Sequence, residues 1–586
     1  MPEYKSPQNE PGIEGRFLLV FLLMAVVIFA SQLVMRKYMP QQPPSAAKPV
    51  QQPIVNPAPP QTQPQAQAVA ASGNLERNQK KAGATPTKQA QAETQTTIEN
   101  DAYRITFTNR GAQVKSWVLK RFNDDRGGPL DLVNQAASAR FGYPLSLWTY
   151  DETLRTKLNS VLYVASTEGS QSVPASASFE YSDSSLMVRK SFEFDHSYAV
   201  RVEISVSSSG SPVYAYPAWP AGFGDQTTFP AFATGQFEYQ VNNDTEHITV
   251  KKVSGGATLH GTYNWAGVGD SYFGAVFIPD NPDNLSIVTL HNGIDISPDP
   301  SKPNETKPAD ILGLAAGHPG ETKGRLFVGP KSLEVLEAVP VPSISGAEKD
   351  LRGMVNFGWF GVIARPLFLW LRWTNQYVRN WGWSIVLQTI IITIALLPLR
   401  YTQMKSALKM QRVQPQMKAI QEKYKKYSMR DPRKQDMQKE IAELYKREGV
   451  NPVGGCLPLV VQMPFLIAYY KMLGAAIDLR QAHWLWIHDL SARDPYFILP
   501  GIMVISMFAM QKMTPQAGMD PAQQKMMNIM MPAMMGFIFF NLAAGLNLYY
   551  ALSNLIMIGQ QAIMSRTELG REMRELAAKR ARKKDK

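Results

Sequence analysis

The chain carries one cysteine in 586 residues, Cys456. A lone thiol excludes an internal disulfide framework and every metal site built from several thiolates. Histidine is scarce too: seven are scattered along the chain, none at the spacing of an HExxH helix. Between residues 101 and 345 there is no carboxylate pair, no nucleophile motif and no glycine-rich phosphate loop. Aspartate and glutamate are also missing from the apolar cores of the C-terminal hydrophobic runs. That argues against ion-coupled transport, which normally needs intramembrane carboxylates. Neither an enzyme, a metalloprotein nor a cofactor-binding protein is expected.

What the chain does have is hydrophobic runs, a polar tether and segregated positive charge. After a short N-terminus, 1–16, an uninterrupted apolar run from Phe17 to Met35 is long enough to cross a bilayer core and lacks a clear cleavage site, so 17–37, ending on Arg36-Lys37, is expected as an uncleaved anchor. Residues 38–100 are mostly Pro, Gln and Ala, the composition of a disordered tether. From 101 to 345 the pattern turns to period two, as in Tyr198, Val200, Val202, Ile204 and Val206, with turn clusters such as "DDRGGP" between runs. An all-β domain of sandwich type is expected there, either a scaffold or the seat of a carbohydrate site.

Residues 350–376 are rich in Trp, Phe and Leu but carry Arg365-Pro366 mid-run, which suits an interfacial amphipathic helix better than a span. An α-helical membrane core is expected over 380–565, with spans near 383–399, 454–474, 497–511, 526–541 and 542–564. Between the first two of these, a loop at 401–449 shows apolar stripes (Val413, Met417, Ile420, Tyr424; Met437, Ile441, Leu444), a start signal at Asp431-Pro432 and a stop at Gly449. It reads as a helical hairpin.

Charge sets the sidedness. Arg400 to Glu448 holds 14 Lys/Arg against 6 Asp/Glu, and the tail 566–586 holds 9 against 4. Four spans separate these segments, so both lie on one side, and their basic excess makes that side the cytoplasm. The β-domain then lies on the opposite side, and the N-terminus, one span further back, is cytoplasmic again. The tail's "KRARKK" suits either RNA phosphates or anionic lipid.

Several segments carry a family signature. "NPVGGCLPLVVQMPFLIAYYKML" (451–473), "LRQAHWLWIHDLSARDPYFILP" (479–500), "WGWS" at 381, "DPAQQKMM", "GLNLYYALSNL", "GWFGVIARPLF" and "NWAGVGDSYFGAVFIP" resemble the YidC/Oxa/Alb family of membrane protein insertases in its Gram-negative form. The resemblance runs from the anchor to the tail, the tether excepted. It implies a multi-pass protein of the bacterial inner membrane with both termini cytoplasmic, and a five-helix core plus anchor helix with a periplasmic β-supersandwich. Its function would be to insert, fold and help assemble membrane proteins, alone or with the Sec translocon. Implied partners are nascent membrane proteins, the phospholipid bilayer, and translating ribosomes met by the tail and hairpin. The family works through a hydrophilic groove open to cytoplasm and lipid.

By position, Gln388, Thr389, Thr393, Gln462, Asn547 and Tyr550 are expected to line that groove, although polar residues of this kind also serve simply to join helices. Met463, Met526, Met527, Met530, Met531 and Met534 are expected to form a greasy slide, or ordinary membrane filling. One departure stands out. The family's arginine in the second span falls on Thr393, and Arg400, seven residues on, is either a substitute cation at the groove mouth or a topology anchor.

Overall fold

The computed structural model describes residues 87–575 apart from 125–126, 226–234, 243, 297–305, 343–348, 426, 428–430, 451–456, 514–520, 569 and 573. The anchor at 17–37, the tether as far as 86 and the "KRARKK" end of the tail lie outside the described residues.

Strands dominate from Gln95 to Val341 and form three main sheets. The first has five strands in the order Pro129–Asp131, Gln113–Asn123, Tyr103–Thr108, Gln95–Glu99, Gly169–Ser172. The second has ten, with Phe273–Pro279, Glu321–Pro330, Ala199–Ser208 and Leu186–Phe194 side by side at its centre. The third has five, built on the long pair Leu285–Ile296 and Lys307–Gly317. Alternation explains the layering: in Ala199–Ser208, Val200, Val202, Ile204 and Val206 are buried while Glu203 faces water. Phe273–Pro279 is buried along its whole length, so its apolar run is unbroken. Phe107 anchors the core, its ring 5.1–5.9 Å from those of Phe179, Phe192 and Phe194.

The folded strands begin inside the stretch 38–100 expected as a tether. Gln95–Glu99, inside the 38–100 stretch, is a strand paired with Tyr103–Thr108, and Lys88 already bridges to Ser182. Thr96 and Ile98 alternate inward, but five residues at the end of a low-complexity run are too few for a period-two signal to stand out.

A charge is buried in this region. Lys190 is fully enclosed, and its ammonium donates to the carbonyls of Gly111 (2.7 Å), Ala112 (3.1 Å) and Leu145 (2.8 Å). Burial pulls its pKa down from 10.5 to about 7. Three short helices decorate the strands: α1 (Gln135–Phe141), capped by Asn134, α2 (Glu152–Ser160), capped by Asp151, and α3 (Leu333–Glu337).

Helices take over after Met354. α4 (Gly361–Val378) turns Ala364, Leu367, Phe368 and Leu371 inward and leaves Arg365, Val362, Trp373 and Tyr377 outside, an amphipathic stripe at helical spacing. α5 (Trp381–Ala395) starts at an Asn380 cap, and α6 (Leu397–Lys423) follows after a 48° bend. Then come α7 (Arg433–Arg447), α8 (Leu457–Ala475), α9 (Ile498–Met513), α10 (Pro521–Phe539) and α11 (Ala544–Ser565). Among the described residues no single helix is long and apolar enough to cross a membrane alone; α5 and α6 qualify only as a bent pair.

Residues 419–442, the far part of the basic loop, fall in a different compact unit from the rest of the described residues. Within 419–442, Lys423 pairs with Glu440 at 2.8 Å, Asp431 accepts from the Arg433 amide, and the Arg433 guanidinium lies 4.0 Å from the Tyr427 ring. In the other unit, Tyr445 Oη donates to Met417 Sδ at 3.1 Å, and Gly449 ends α7 with a φ of +59°.

The strands and helices of this larger unit are interlocked. Ile477, from the segment after α8, belongs to the β core, while Leu333 of α3 belongs to the helical core. Gln481 Nε2 donates to Asn123 O at 2.9 Å, the Arg480 guanidinium lies 5.4 Å from the Phe273 ring, and Arg372 pairs with Glu334 at 3.0 Å. Asp494 braces the same segment: its buried carboxylate accepts from Trp486 Nε1 and from the Tyr496 and Leu499 amides, capping α9.

Candidate functional site: a polar seam between apolar outer faces

Helix α5 is polar within and apolar without. Ser384, Gln388, Thr389 and Thr393 are buried, whereas Leu387, Ile391 and Ile394 are exposed. Gly382 of "WGWS" permits the close approach of Trp484, since a Cβ there would stand 2.2 Å from the indole. On α11, Asn547, Ser553, Asn554 and Gln560 are buried while Leu555 and Ile563 are exposed. On α10, Ile529, Met530, Met534, Phe537 and Ile538 face outward. A surface of that kind suits hydrocarbon rather than water.

The expected groove residues fall into two groups. Gln388 and Thr389 spend their polar atoms on the protein, as does the Asn547 amide nitrogen, whereas Asn547 Oδ1 is buried without a hydrogen-bond partner. Gln388 Nε2 donates to Leu367 O at 2.9 Å, and Gln388 Oε1 accepts from Tyr469 Oη at 2.5 Å. Thr389 Oγ1 donates to Ile385 O, and Asn547 Nδ2 to Phe539 O and Leu542 O. Tyr550 is half-buried, its ring 4.8 Å from that of Phe539.

Thr393, Arg400 and Gln462 come together. With Tyr549, Ser553 and Met557 they line a cavity of about 20 Å³, room for one water molecule. Thr393 Oγ1 donates to Thr389 O, Gln560 Nε2 donates to Thr393 O at 3.2 Å, and the Arg400 guanidinium reaches Met557 Sδ. The seven-residue offset between Thr393 and Arg400 thus ends in one shared space despite the bend at Leu396. Of the expected slide residues, Met530 and Met534 are exposed and Met463 is half-buried. The side chains of Met526, Met527 and Met531 lie outside the described residues.

Sequence reasoning missed part of the seam. Tyr469 stacks on Tyr549 at 4.0 Å and 15°, and Asn554 Nδ2 donates to Ser506 Oγ at 3.2 Å. The available signal was spacing: Asn547 and Asn554, and Ser553 and Gln560, recur at seven residues, close to two helical turns.

This combination of a β-rich domain and a helical bundle with inward polar and outward apolar faces defines a membrane protein with an appended extramembrane domain. Two family models divide the chain: that of the YidC periplasmic domain matches residues 95–370, and that of the 60Kd inner membrane protein matches 373–571. The chain is 32% identical over 575 residues to the membrane protein insertase YidC of Syntrophus aciditrophicus, covering 94% of this chain and 99% of that relative. It is 32% identical over 489 residues to that of Geobacter sulfurreducens, covering 80% and 86%. The crystal structure of an active YidC insertase with its first transmembrane domain resolved aligns at a TM-score of 0.35 and 18% identity, over 83% of this chain and 95% of that one. The chain belongs to the YidC family, whose members are inner-membrane insertases with a periplasmic domain rather than enzymes.

Proposed function

We propose that the chain inserts and helps fold inner-membrane proteins, alone or beside the Sec translocon, through a polar groove that opens to cytoplasm and lipid. The physical task is plain. A substrate segment crossing hydrocarbon exposes backbone groups that cost several kcal/mol each when unpaired. A wet, polar recess partway into the membrane supplies hydrogen bonds and shortens the dry distance, and the client's apolar helix leaves sideways along greasy side chains.

In this reading Thr393, Gln462 and Tyr550 line the recess, Gln388, Thr389 and Asn547 hold its walls, and Arg400 stands at its mouth. Met463, Met530 and Met534, with Met526, Met527 and Met531, face the client. The chain crosses the membrane six times, with the anchor at 17–37 and both termini cytoplasmic, and the β-domain is a periplasmic scaffold. The basic hairpin and tail meet the translating ribosome.

The observation that carries the reading is the cavity shared by Thr393, Gln462 and Arg400, which joins the only cation among its described lining residues to the polar seam. Arg400 near the membrane edge avoids most of the roughly 2.5–3.5 kcal/mol that an arginine costs at a span centre. The test is reconstitution in liposomes with paired clients that differ only in the charge of the translocated segment. Arg400→Gln is expected to slow acidic clients about tenfold and neutral ones little, and Thr393→Arg is expected to restore the acidic ones in that background. Equal losses for both clients, or no rescue, overturn the role given to Arg400.

A further inference from the structure

A large open recess lies in the β-domain, and none of the polar-seam residues lines it. It is a cleft of about 670 Å³, the size range of small-ligand sites. Its walls come from the ends of Tyr103–Thr108 and Gln113–Asn123, from α1 and α2, and from the strand Ser146–Trp148. Four cations line it, Arg110, Lys115, Arg140 and Arg155, and among the described residues no carboxylate does.

Two of these cations are already engaged: Arg110 pairs with Glu93 at 3.0 Å, and Arg155 lies 3.6 Å from Glu152. Lys115 and Arg140 have no carboxylate within ion-pair distance among the described residues, although Glu93, the partner of Arg110, is near enough to feel the Lys115 charge; Lys115 sits 3.8 Å from the Tyr143 ring centre and Arg140 5.2 Å from that of Phe141. A second observation is independent of charge. Ser138, 2% exposed, lines the same cleft, and its hydroxyl has no hydrogen-bond partner. A buried hydroxyl left unpaired carries a cost that an occupant's acceptor atom removes.

The walls are also held in place. The Lys190 ammonium ties Gly111 and Ala112, beside Arg110 and Gln113, to Leu145, beside Ser146. Such tethering fixes the geometry before an occupant arrives, so less ordering is needed on binding.

We infer that this cleft binds a small soluble organic phosphate, with Lys115 and Arg140 on the phosphate group, Ser138 donating to it, and Trp148 and Tyr143 against the organic part. Multiply charged oxyanions match cations that lack partners. The source follows from position. The strand Gln113–Asn123 runs from the cleft to the contact between Asn123 and Gln481. Lys115 therefore stands roughly 25 Å from that contact with the helical region, at about 3.3 Å per residue. A headgroup in the bilayer around the helices is out of easy reach, whereas a soluble anion is not.

The test uses the full chain in phosphatidylcholine nanodiscs and calorimetric titration with glucose 6-phosphate, glucose and inorganic phosphate. Glucose 6-phosphate is expected to bind below about 1 mM, and each of the other two about tenfold or more weaker. Lys115→Gln and Arg140→Gln are each expected to weaken binding about tenfold, and Ser138→Ala several-fold. Arg189→Gln, on a strand outside the cleft, leaves it unchanged. Unchanged thermal melting shows that a variant is folded, and Lys115 and Arg140 are exposed enough for that to be expected. No binding of any probe, equal binding of glucose, equal binding of inorganic phosphate, or equal weakening by Arg189→Gln overturns the inference. Loss of glucose 6-phosphate binding when the nanodisc lipid is changed to phosphatidylglycerol overturns the soluble source in favour of a headgroup.

Discussion

In the strand Ala199–Ser208, Val202 and Ile204 point inward and Glu203 points out. In helix α5 the order is reversed: Gln388 and Thr389 are buried, and Leu387 and Ile391 are exposed. The two regions follow one rule in two solvents. In water, polar side chains gain by facing out, whereas in hydrocarbon they must find partners inside. Each region breaks its own rule in an informative way. The strands bury the Lys190 amine, whose pKa burial lowers to about 7, and the helices leave Arg400 beside a cavity, its guanidinium against Met557 Sδ.

The sharpest way to probe this contrast is Lys190→Met, which leaves three carbonyls without their donor. A loss of about 3 kcal/mol is expected from chemical unfolding of the β-domain, since unpaired buried acceptors cost roughly 1–3 kcal/mol each and relaxation recovers part. The same residue predicts a pH trend. Its folded pKa of about 7 lies below the unfolded value of 10.5, so between them the unfolded chain holds a proton that the folded chain does not. Stability is therefore expected to rise from pH 7 toward pH 10, by at most about 1.4 kcal/mol per unit, and to level off below pH 7, where folded and unfolded chains both carry the proton. The rise between pH 7 and pH 10 should be missing from Lys190→Met when melting is followed against pH; equal pH slopes in the two proteins contradict the assignment.

A smaller effect is expected in the helices. Gln388→Leu strands the Tyr469 hydroxyl and is expected to cost about 1–3 kcal/mol. Adding Tyr469→Phe removes the stranded group, so the double variant should recover part of the loss. Additive losses in this double-mutant cycle would deny the coupling. The smallest effect belongs to Arg372→Gln, at the contact between the regions. Glu334, its partner, is mostly exposed, so about 0.5 kcal/mol or less is expected in melting experiments. A larger shift would make that ion pair a real fastener rather than a surface contact.

The sequence-based reading met the structure unevenly, for identifiable reasons. The β alternation at Tyr198–Val206 was legible because one face is buried and the period is exactly two residues. The start at Gln95 was hidden because Gln, Thr and Ala carry little pattern. Gln388, Thr389 and Thr393 were visible as polar interruptions of an apolar run. Tyr469 and Tyr549 were not, because tyrosine fits lipid boundaries, cores and polar seams alike, and only packing decides among them. The cleft around Lys115 and Arg140 escaped for another reason. These two cations come from a strand and a helix 25 residues apart, and no linear motif joins them.

The interlock described at Ile477 has a consequence in time. This residue is part of the β core, yet it is made 147 residues after Pro330, the end of the last long strand. At about 5–20 residues per second, the ribosome delivers it roughly 7–30 s after those strands are complete. The β core thus stays open at one point until α8 has been synthesised and the segment beyond it has arrived. Closure of the domain becomes a record that the first half of the helical bundle has been threaded in order.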